Sequence, residues 1–170
     1  MTQSRKDSSV TPVRCAALTV SDTRTMETDE SGAMIRKLLE AAGHKVVDYR
    51  ILPDDPVRVR QHVHNMCVPG QCEALLVSGG TGLAARDKTY EAIASELEKR
   101  LDGFGELFRM LSYQDIGAKA MLSRAVAGVC GQTLIFSMPG ATGAVLLAME
   151  RLILPTLVHA ADLLRGDTQH

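Results

Sequence analysis

Short apolar segments that alternate with segments of helical periodicity constrain the fold of this chain more than any other feature. Arg14–Val20 is a continuous run of strand-forming residues, typical of a strand buried on both faces of a parallel sheet. Strand patterns recur at residues 44–52 and 74–78, and helical spacing separates them at 31–42 and 56–66. This order predicts a doubly wound α/β fold with a mostly parallel sheet.

Capping residues mark the predicted ends of the first two helices. Gly43 follows the first helix as a C-terminal stop. Asp55 is expected to cap the second helix, with Pro56 at its first position. Asp54 is then left free at the end of the second strand.

The second half of the chain continues with helices and two further strands. These predicted elements are two helices, two strands and one or two closing helices, over residues 89–99, 106–111, 125–129, 133–137 and 141–165. Thr89 is expected to cap the first of them, and Gly103-Phe104-Gly105 to separate it from the next. The two strands flank a turn at Gly131, so they can pair with each other or extend the sheet.

Composition limits the possible partners. Lys+Arg 19 against Asp+Glu 20 gives a formal charge of -1, which excludes the basic surface expected of a nucleic-acid or anionic-membrane binder. Residues 1–12 are polar and read as a flexible tail, residues 13–166 as a single domain, and residues 167–170 as a C-terminal tail. A cytoplasmic protein is expected.

The four cysteines have no CxxC spacing, so reduced structural thiols are expected. Cys67 and Cys72 lie near His62 and His64 along the chain, which raises the possibility of a metal cluster. The two histidines are two residues apart on a predicted helix and therefore point in different directions, which argues against that cluster.

Ligands of an open parallel sheet bind outside the carboxyl ends of the strands. Ser21-Asp22, Asp54 and residues 79–87 are all predicted to lie there. The loop Gly79-Gly80-Thr81-Gly82 follows a strand directly, so its backbone N–H groups can approach an anion. The loop lacks the residue order of a Walker loop. Its partial match to the dinucleotide-binding motif, Gly80-x-Gly82-x-x-Ala85, follows the third strand rather than the first. The alternative interpretation is a simple turn that needs positive φ angles.

Asp54 and Asp87 belong to separate loops that can meet over one phosphate group. Hard oxygen ligands of this kind suit Mg²⁺ carried in with ATP. The alternatives are a turn residue for Asp54 and a local cap for Asp87. Arg86 either neutralises a phosphoryl group or is a solvated loop residue, and Lys88, Arg109 and Arg124 carry the same ambiguity.

The second half offers further candidates for a binding pocket. They are the hydroxyl groups of Ser112 and Ser123 and the turn at Pro139-Gly140 after a strand. His159 lies on an apolar helix face, where a packed histidine is the ordinary interpretation. The sequence contains no Ser-His-Asp or Cys-His arrangement with a recognisable nucleophile motif, so it gives no support to covalent catalysis.

Four segments taken together resemble the MoaB/MogA molybdopterin-binding proteins: LTVSDTR, LVSGGTGLAARDKTYEA, GFGELFRMLSYQDIGAKAMLSRAVAG and LIFSMPG. The resemblance runs from about Arg14 to Arg165, and residues 103–128 are similar to the MoaB branch in particular. It implies a three-layer fold, assembly as a trimer or hexamer, and binding of molybdopterin. Other enzymes of molybdenum cofactor synthesis are the partners it implies beyond the chain itself.

Catalytically competent relatives use Mg²⁺ and ATP to adenylylate molybdopterin and release pyrophosphate. By motif position, Asp54 and Asp87 match the two essential acids, and Thr81 with its glycines matches the phosphate-binding loop. Ser112 matches a serine of the pterin pocket, and Ser21 with Asp22 matches the first-strand loop. Some MoaB-type relatives lack the acids and show no clear transferase activity, whereas this chain keeps both.

Three hypotheses therefore remain open at the level of sequence: an adenylyl transferase, a binding or carrier protein, and an oligomerising scaffold. The scaffold draws on relatives such as gephyrin, in which a domain of this type trimerises within a larger protein. For the interface between subunits, the apolar closing helices over residues 141–148 and 153–164 are the expected candidates.

Overall fold

The computed structural model describes residues 11–167, so most of the predicted N-terminal tail and residues 168–170 lie outside the described part. Its strands are β1 (Arg14–Val20), β2 (Lys45–Leu52), β3 (Ala74–Ser78), β4 (Lys99–Arg100), β5 (Val126–Cys130) and β6 (Thr133–Met138). They form one sheet in the order β2-β1-β3-β6-β5-β4. The first four strands of that order are parallel, and β5 pairs antiparallel with both β6 and β4. The mostly parallel sheet is confirmed.

Helices cover both faces of the sheet. They are α1 (Glu30–Ala41), α2 (Pro56–Met66), α3 (Thr89–Glu96), α4 (Asp102–Ile116), α5 (Thr142–Ala148) and α6 (Leu154–Arg165). One core cluster joins the sheet to α1, α4, α5 and α6, and a second joins the opposite face to α2 and α3. Because each face buries its own apolar layer, the predicted three-layer architecture is confirmed.

The predicted cap of α2 is confirmed, whereas that of α3 is wrong. The Asp55 carboxylate accepts hydrogen bonds from the N–H groups of Val57 and Arg58, and Pro56 occupies the first position. In α3 the cap position belongs to Lys88, which makes no side-chain cap hydrogen bond. Thr89 is instead the first helical residue, and its hydroxyl donates to Asp54 across the fold. A contact with a distant loop therefore replaces the local cap.

Two further boundaries differ from the prediction. Helix α3 ends at Glu96 rather than near Lys99, because Lys99–Arg100 leaves the helix to pair with β5. Gly103-Phe104-Gly105 does not separate two helices but lies inside α4. Gly105 is needed there for packing, since a Cβ at this position would lie 2.7 Å from the carbonyl oxygen of Ala125.

The closing helices are continuous in space. A π-helical segment, Met149–Ile153, joins α5 to α6, so residues 142–165 form one helical stretch. By length and composition this is the one stretch within residues 11–167 that is able to cross a membrane. Its inner side chains, among them Val145, Met149 and Leu157, are fully buried against the sheet, as in the core helix of a globular domain.

Candidate functional site

The order of the strands places a crevice at the carboxyl ends of β1 and β3. The chain passes from β1 outward to β2 and then crosses to β3 on the other side of β1, so the strand order reverses between β1 and β3. Two cavities lie above this point and share Val20 and Ser21 as a common wall. Such a reversal point is where open α/β sheets bind ligands.

The first cavity, of about 170 Å³, is acidic. It is lined by residues from three different loops: Val20, Ser21, Asp22, Thr23, Asp54, Gly80, Arg86 and Asp87. Asp54 and Asp87, which are far apart in sequence, therefore face the same space, as expected, together with Asp22. Arg86 is the one arginine or lysine in this lining, so the carboxylates outnumber it. We call this space the acidic cavity.

Asp54 is held by hydrogen bonds from two neighbouring loops. Its backbone N–H donates to the Asp22 carboxylate at 3.0 Å. Its own carboxylate accepts from the backbone N–H of Lys88 at 3.2 and 3.3 Å and from the hydroxyl of Thr89 at 3.3 Å. The end of β2 is thus fixed against the end of β1 and the start of α3.

The surroundings of Asp54 raise the pKa of its carboxyl group. Burial raises the pKa of Asp54 above its usual value, the hydrogen bonds from Lys88 and Thr89 act in the opposite direction, and the nearby carboxylates of Asp87 and Asp22 raise it further. A divalent cation between these carboxylates would remove the repulsion that disfavours ionisation. The cavity therefore suits a cation that neutralises several carboxylates at once.

Three glycines let the backbone approach these side chains. A Cβ at Gly79 would lie 2.2 Å from the carbonyl oxygen of Val20, and one at Gly80 would lie 2.8 Å from the Asp54 carboxylate. A Cβ at Gly82 would lie 2.6 Å from the Asp87 carboxylate. Gly79 and Gly80 also have φ values of +98° and +68°, which glycine adopts without strain.

The glycine loop provides fewer free N–H groups than the sequence predicts. The N–H of Gly79 donates to the carbonyl of Met138 at 3.0 Å, so it is not directed at a ligand. Within residues 11–167 the N–H groups of Gly80 and Gly82 make no hydrogen bond to protein. Within the same residues the N–H of Thr81 has no hydrogen-bond partner either, so the second, third and fourth positions of the loop are available as anion donors, and Gly80 lines the acidic cavity.

The second cavity, of about 270 Å³, is lined mainly by hydroxyl and backbone groups. Gly79, Gly140, Ser21 and Ser31 contribute to it, and the Ser31 hydroxyl donates to the carbonyl of Gly140 at 2.6 Å. The turn Pro139-Gly140 thus lies at the crevice, as the sequence predicts. Gly140 packs directly on the glycine loop, since a Cβ there would lie 3.3 Å from the Cα of Gly79.

The structure places Ser112 and Ser123 away from the acidic cavity. Ser112 is buried on α4 and lines neither cavity of the crevice. Ser123 lines a third cavity of about 380 Å³ between α3 and α4, which also contains Tyr90 and Arg124. The buried hydroxyl oxygen of Ser123 has no hydrogen-bond partner within the described residues.

No preformed metal cage accompanies these cavities. Within residues 11–167 no group of three or more histidine, cysteine, aspartate or glutamate side chains is arranged to hold a metal ion. The four cysteines are free, and Cys15, Cys72 and Cys130 are buried, as expected of structural thiols. A magnesium ion at the acidic cavity would need ligands from a bound phosphate, which is the usual way proteins hold Mg²⁺.

Comparison with known proteins agrees with this geometry. A family model described as "Probable molybdopterin binding domain" matches residues 16–159. The molybdenum cofactor biosynthesis protein B of Halalkalibacterium halodurans is 53% identical over 158 residues, which cover 92% of each protein. This chain belongs to the MoaB/MogA family.

Solved structures of this family have the same fold. A crystal structure of molybdenum cofactor biosynthesis protein B is 49% identical, covers 92% of this chain and 98% of its own, and has a TM-score of 0.90. The tungsten cofactor synthesizing protein MoaB from Pyrococcus furiosus is 32% identical, with a TM-score of 0.81 over 91% of this chain and 98% of its own. Membership of this family places the chain in molybdenum cofactor biosynthesis.

One residue of the MoaB/MogA crevice has contacts that sequence analysis did not identify. Arg124 lies outside the acidic cavity, yet its guanidinium group bonds to the carbonyls of Thr81, Gly82 and Asp87. In the sequence it was one of several ambiguous cations. Its position directly after Ser123, at the start of a buried strand, was the only available signal.

Proposed function

We propose that this MoaB/MogA-family chain transfers the adenylyl group of ATP to molybdopterin with Mg²⁺ and releases pyrophosphate. The observation that carries the proposal is the acidic cavity, where Asp22, Asp54 and Asp87 face a glycine loop with free N–H groups. A polyphosphate would be repelled by three carboxylates unless it arrived with a divalent cation. Free backbone donors next to a cation-binding set of carboxylates match the requirements of a magnesium nucleotide.

Different residues of the acidic cavity have different roles in the proposed reaction. Asp54 and Asp87 would hold Mg²⁺, which when bound would offset the negative charge on the phosphate oxygens and on the departing pyrophosphate. The N–H of Gly80 at the cavity and the free N–H groups of Thr81 and Gly82 would donate to phosphate oxygens, and Arg86 adds a positive charge at the cavity wall. The phosphate of molybdopterin is already ionised as a nucleophile, so the mechanism requires no general base.

The adjoining hydroxyl-lined cavity supports the presence of a second substrate. Its wall shares Val20 and Ser21 with the acidic cavity, so ligands in the two cavities are neighbours. In-line transfer requires the attacking and leaving oxygens on opposite sides of one phosphorus. We place molybdopterin and ATP in the two adjoining cavities, with their reacting phosphates meeting beside Val20 and Ser21, and we place the reaction in the cytoplasm.

The test is to incubate the purified protein with molybdopterin and Mg-ATP, and to measure pyrophosphate and adenylylated molybdopterin. We expect both products in equal amounts, and none when a chelator removes Mg²⁺. Tight binding of molybdopterin without either product would contradict the transferase and identify a carrier instead.

We also propose that the chain associates with itself as a trimer or hexamer. Large apolar side chains are exposed along α4 and the 3₁₀ helix Gly117–Leu122 that follows it: Leu107, Met110, Tyr113, Ile116, Met121 and Leu122. We call this the α4 face. On the closing helices, which the sequence favoured, the exposed large apolar residues are Leu146 and Leu163. A concentration of exposed apolar side chains in one segment is typical of a subunit interface.

Introducing a charge into the α4 face should dissociate the assembly. Burying an unpaired carboxylate at an interface costs several kcal/mol, so Met110→Glu should give monomers at micromolar concentration. Met26 is similarly exposed but lies elsewhere, so Met26→Glu should keep the native assembly. Sedimentation velocity distinguishes the species; an unchanged sedimentation coefficient for Met110→Glu would exclude the α4 face as the interface.

A further inference from the structure

The side chain of Arg124 connects the start of β5 to the glycine loop. Its Nε donates to the carbonyl of Thr81 at 3.0 Å, and its Nη2 donates to the carbonyls of Gly82 at 2.5 Å and Asp87 at 3.2 Å. One guanidinium group thus holds three carbonyls of the segment that carries Thr81, Gly82 and Asp87.

The planarity of the peptide bond transmits this effect to the other side of the loop. In a trans peptide the C=O of one residue and the N–H of the next point in opposite directions. The carbonyl of Asp87 points to Arg124, and the N–H of Lys88 accordingly donates to the Asp54 carboxylate. By the same geometry, the N–H of Gly82 points away from Arg124 because the carbonyl of Thr81 points towards it.

The guanidinium group is itself held in place by α3. Its Nη1 donates to the carboxylate of Glu91, and its Cζ lies 4.9 Å from the ring centre of Tyr90. An arginine fork can serve several acceptors at fixed angles, whereas the single ammonium group of lysine cannot. Three loop carbonyls, a carboxylate and an aromatic ring therefore require an arginine at this position.

We propose that Arg124 is a positioning residue of the adenylyl transfer site: it fixes the carbonyls of Thr81, Gly82 and Asp87 so that the opposite N–H groups face Asp54 and the bound phosphate. Arg124 does not line the acidic cavity and acts through the loop. The reaction that it supports rests on the proposed function, whereas the orientation of the loop does not.

Hydrogen–deuterium exchange of the ligand-free protein tests the orientation of the loop directly. In Arg124→Ala the N–H of Lys88 should exchange about ten-fold faster, because Arg124 no longer fixes the carbonyl of Asp87 and the hydrogen bond from Lys88 to Asp54 is weakened. Arg100 lies in the same cavity as Arg124 and contacts Asp102 and Tyr90 rather than the loop, so Arg100→Ala is the matched control. Unchanged exchange at Lys88 in Arg124→Ala would overturn the proposal.

Kinetics and chemical rescue separate positioning from a general loss of structure. The KM for Mg-ATP should rise about ten-fold in Arg124→Ala, with a smaller rise in Arg124→Lys, which keeps the charge but not the fork. Millimolar guanidinium ion should restore the KM of Arg124→Ala and not that of Arg124→Lys, where the lysine fills the space. An alanine variant with wild-type KM, or one that guanidinium does not rescue, would contradict the proposal.

The two hypotheses fail in different ways. If the wild-type protein forms no pyrophosphate, the proposed function is wrong, but faster exchange at Lys88 in Arg124→Ala still supports the positioning role. If the wild type turns over and both exchange and KM are unchanged in Arg124→Ala, the positioning role alone is wrong. Should the alanine variant not fold, Arg124→Lys provides the same two measurements.

Discussion

Replacing Asp87 by asparagine should lower the rate of adenylylated molybdopterin formation by roughly 100-fold or more, because a charge directed at Mg²⁺ is lost. Asparagine keeps the shape of the side chain, so the close approach of this side chain to the backbone of Gly82 is preserved. The fold and the affinity for molybdopterin should therefore be maintained. The measurement is the initial rate of pyrophosphate release under saturating molybdopterin and Mg-ATP.

Asp55 provides the matched control for this substitution. It is the neighbour of Asp54, but its carboxylate caps α2 rather than facing the acidic cavity. Asparagine caps helices as well as aspartate does, so Asp55→Asn should retain both turnover and stability. Unchanged turnover in Asp87→Asn would show that Asp87 has no part in the reaction, even if the wild-type protein is an adenylyl transferase.

Replacing Gly79 by alanine should destabilise the domain by about 3 kcal/mol, from a strained positive φ and a backbone clash together. The new Cβ would lie 2.2 Å from the carbonyl oxygen of Val20, and the backbone fixes the position of both atoms. Gly79 also donates to Met138, so it joins the ends of β1, β3 and β6. For a domain of this size the melting temperature should fall by roughly 6–12 °C.

Gly43 separates the two causes of that destabilisation. Its φ is +86°, close to that of Gly79, but a Cβ there would have no atom within 4 Å. Gly43→Ala should therefore cost only the backbone strain, about 1 kcal/mol. Thermal unfolding of both variants at one protein concentration provides the comparison. Equal losses would show that the approach to Val20 contributes nothing to stability.

The parts of the fold that sequence predicts well depend on local chemistry. Residues 14–20, 56–66 and 74–78 occupy their predicted elements to the residue, since burial pattern and the Asp55-Pro56 cap act within each segment. Family resemblance then supplied the three-layer architecture. The meeting of Asp54 and Asp87 follows from the topology, because both lie just beyond strands that end at the same edge of a parallel sheet.

The errors concern residues whose roles depend on distant partners. Thr89 has the composition of a helix cap, but Asp54 accepts its hydroxyl, and Asp54 is 35 residues away. Lys99 continues a helical pattern, yet pairing with Val129 draws it into the sheet. Gly105 has the composition of a helix breaker, but it lies inside α4 because the carbonyl of Ala125 leaves no room for a Cβ. In each case a tertiary contact outweighs a local preference of about 1 kcal/mol.

The acidic cavity is built from the ends of β1, β2 and β3, and no single segment contains more than a fraction of it. Parallel pairing brings these ends together only after the intervening helices have crossed the sheet, so the unfolded chain has no residual affinity for the ligand. Ligand binding therefore stabilises the whole domain, and this stabilisation grows with ligand concentration. A magnesium nucleotide bound in the acidic cavity would thereby protect this protein from proteolysis, because occupancy lowers the population of the opened forms in which the cavity is lost.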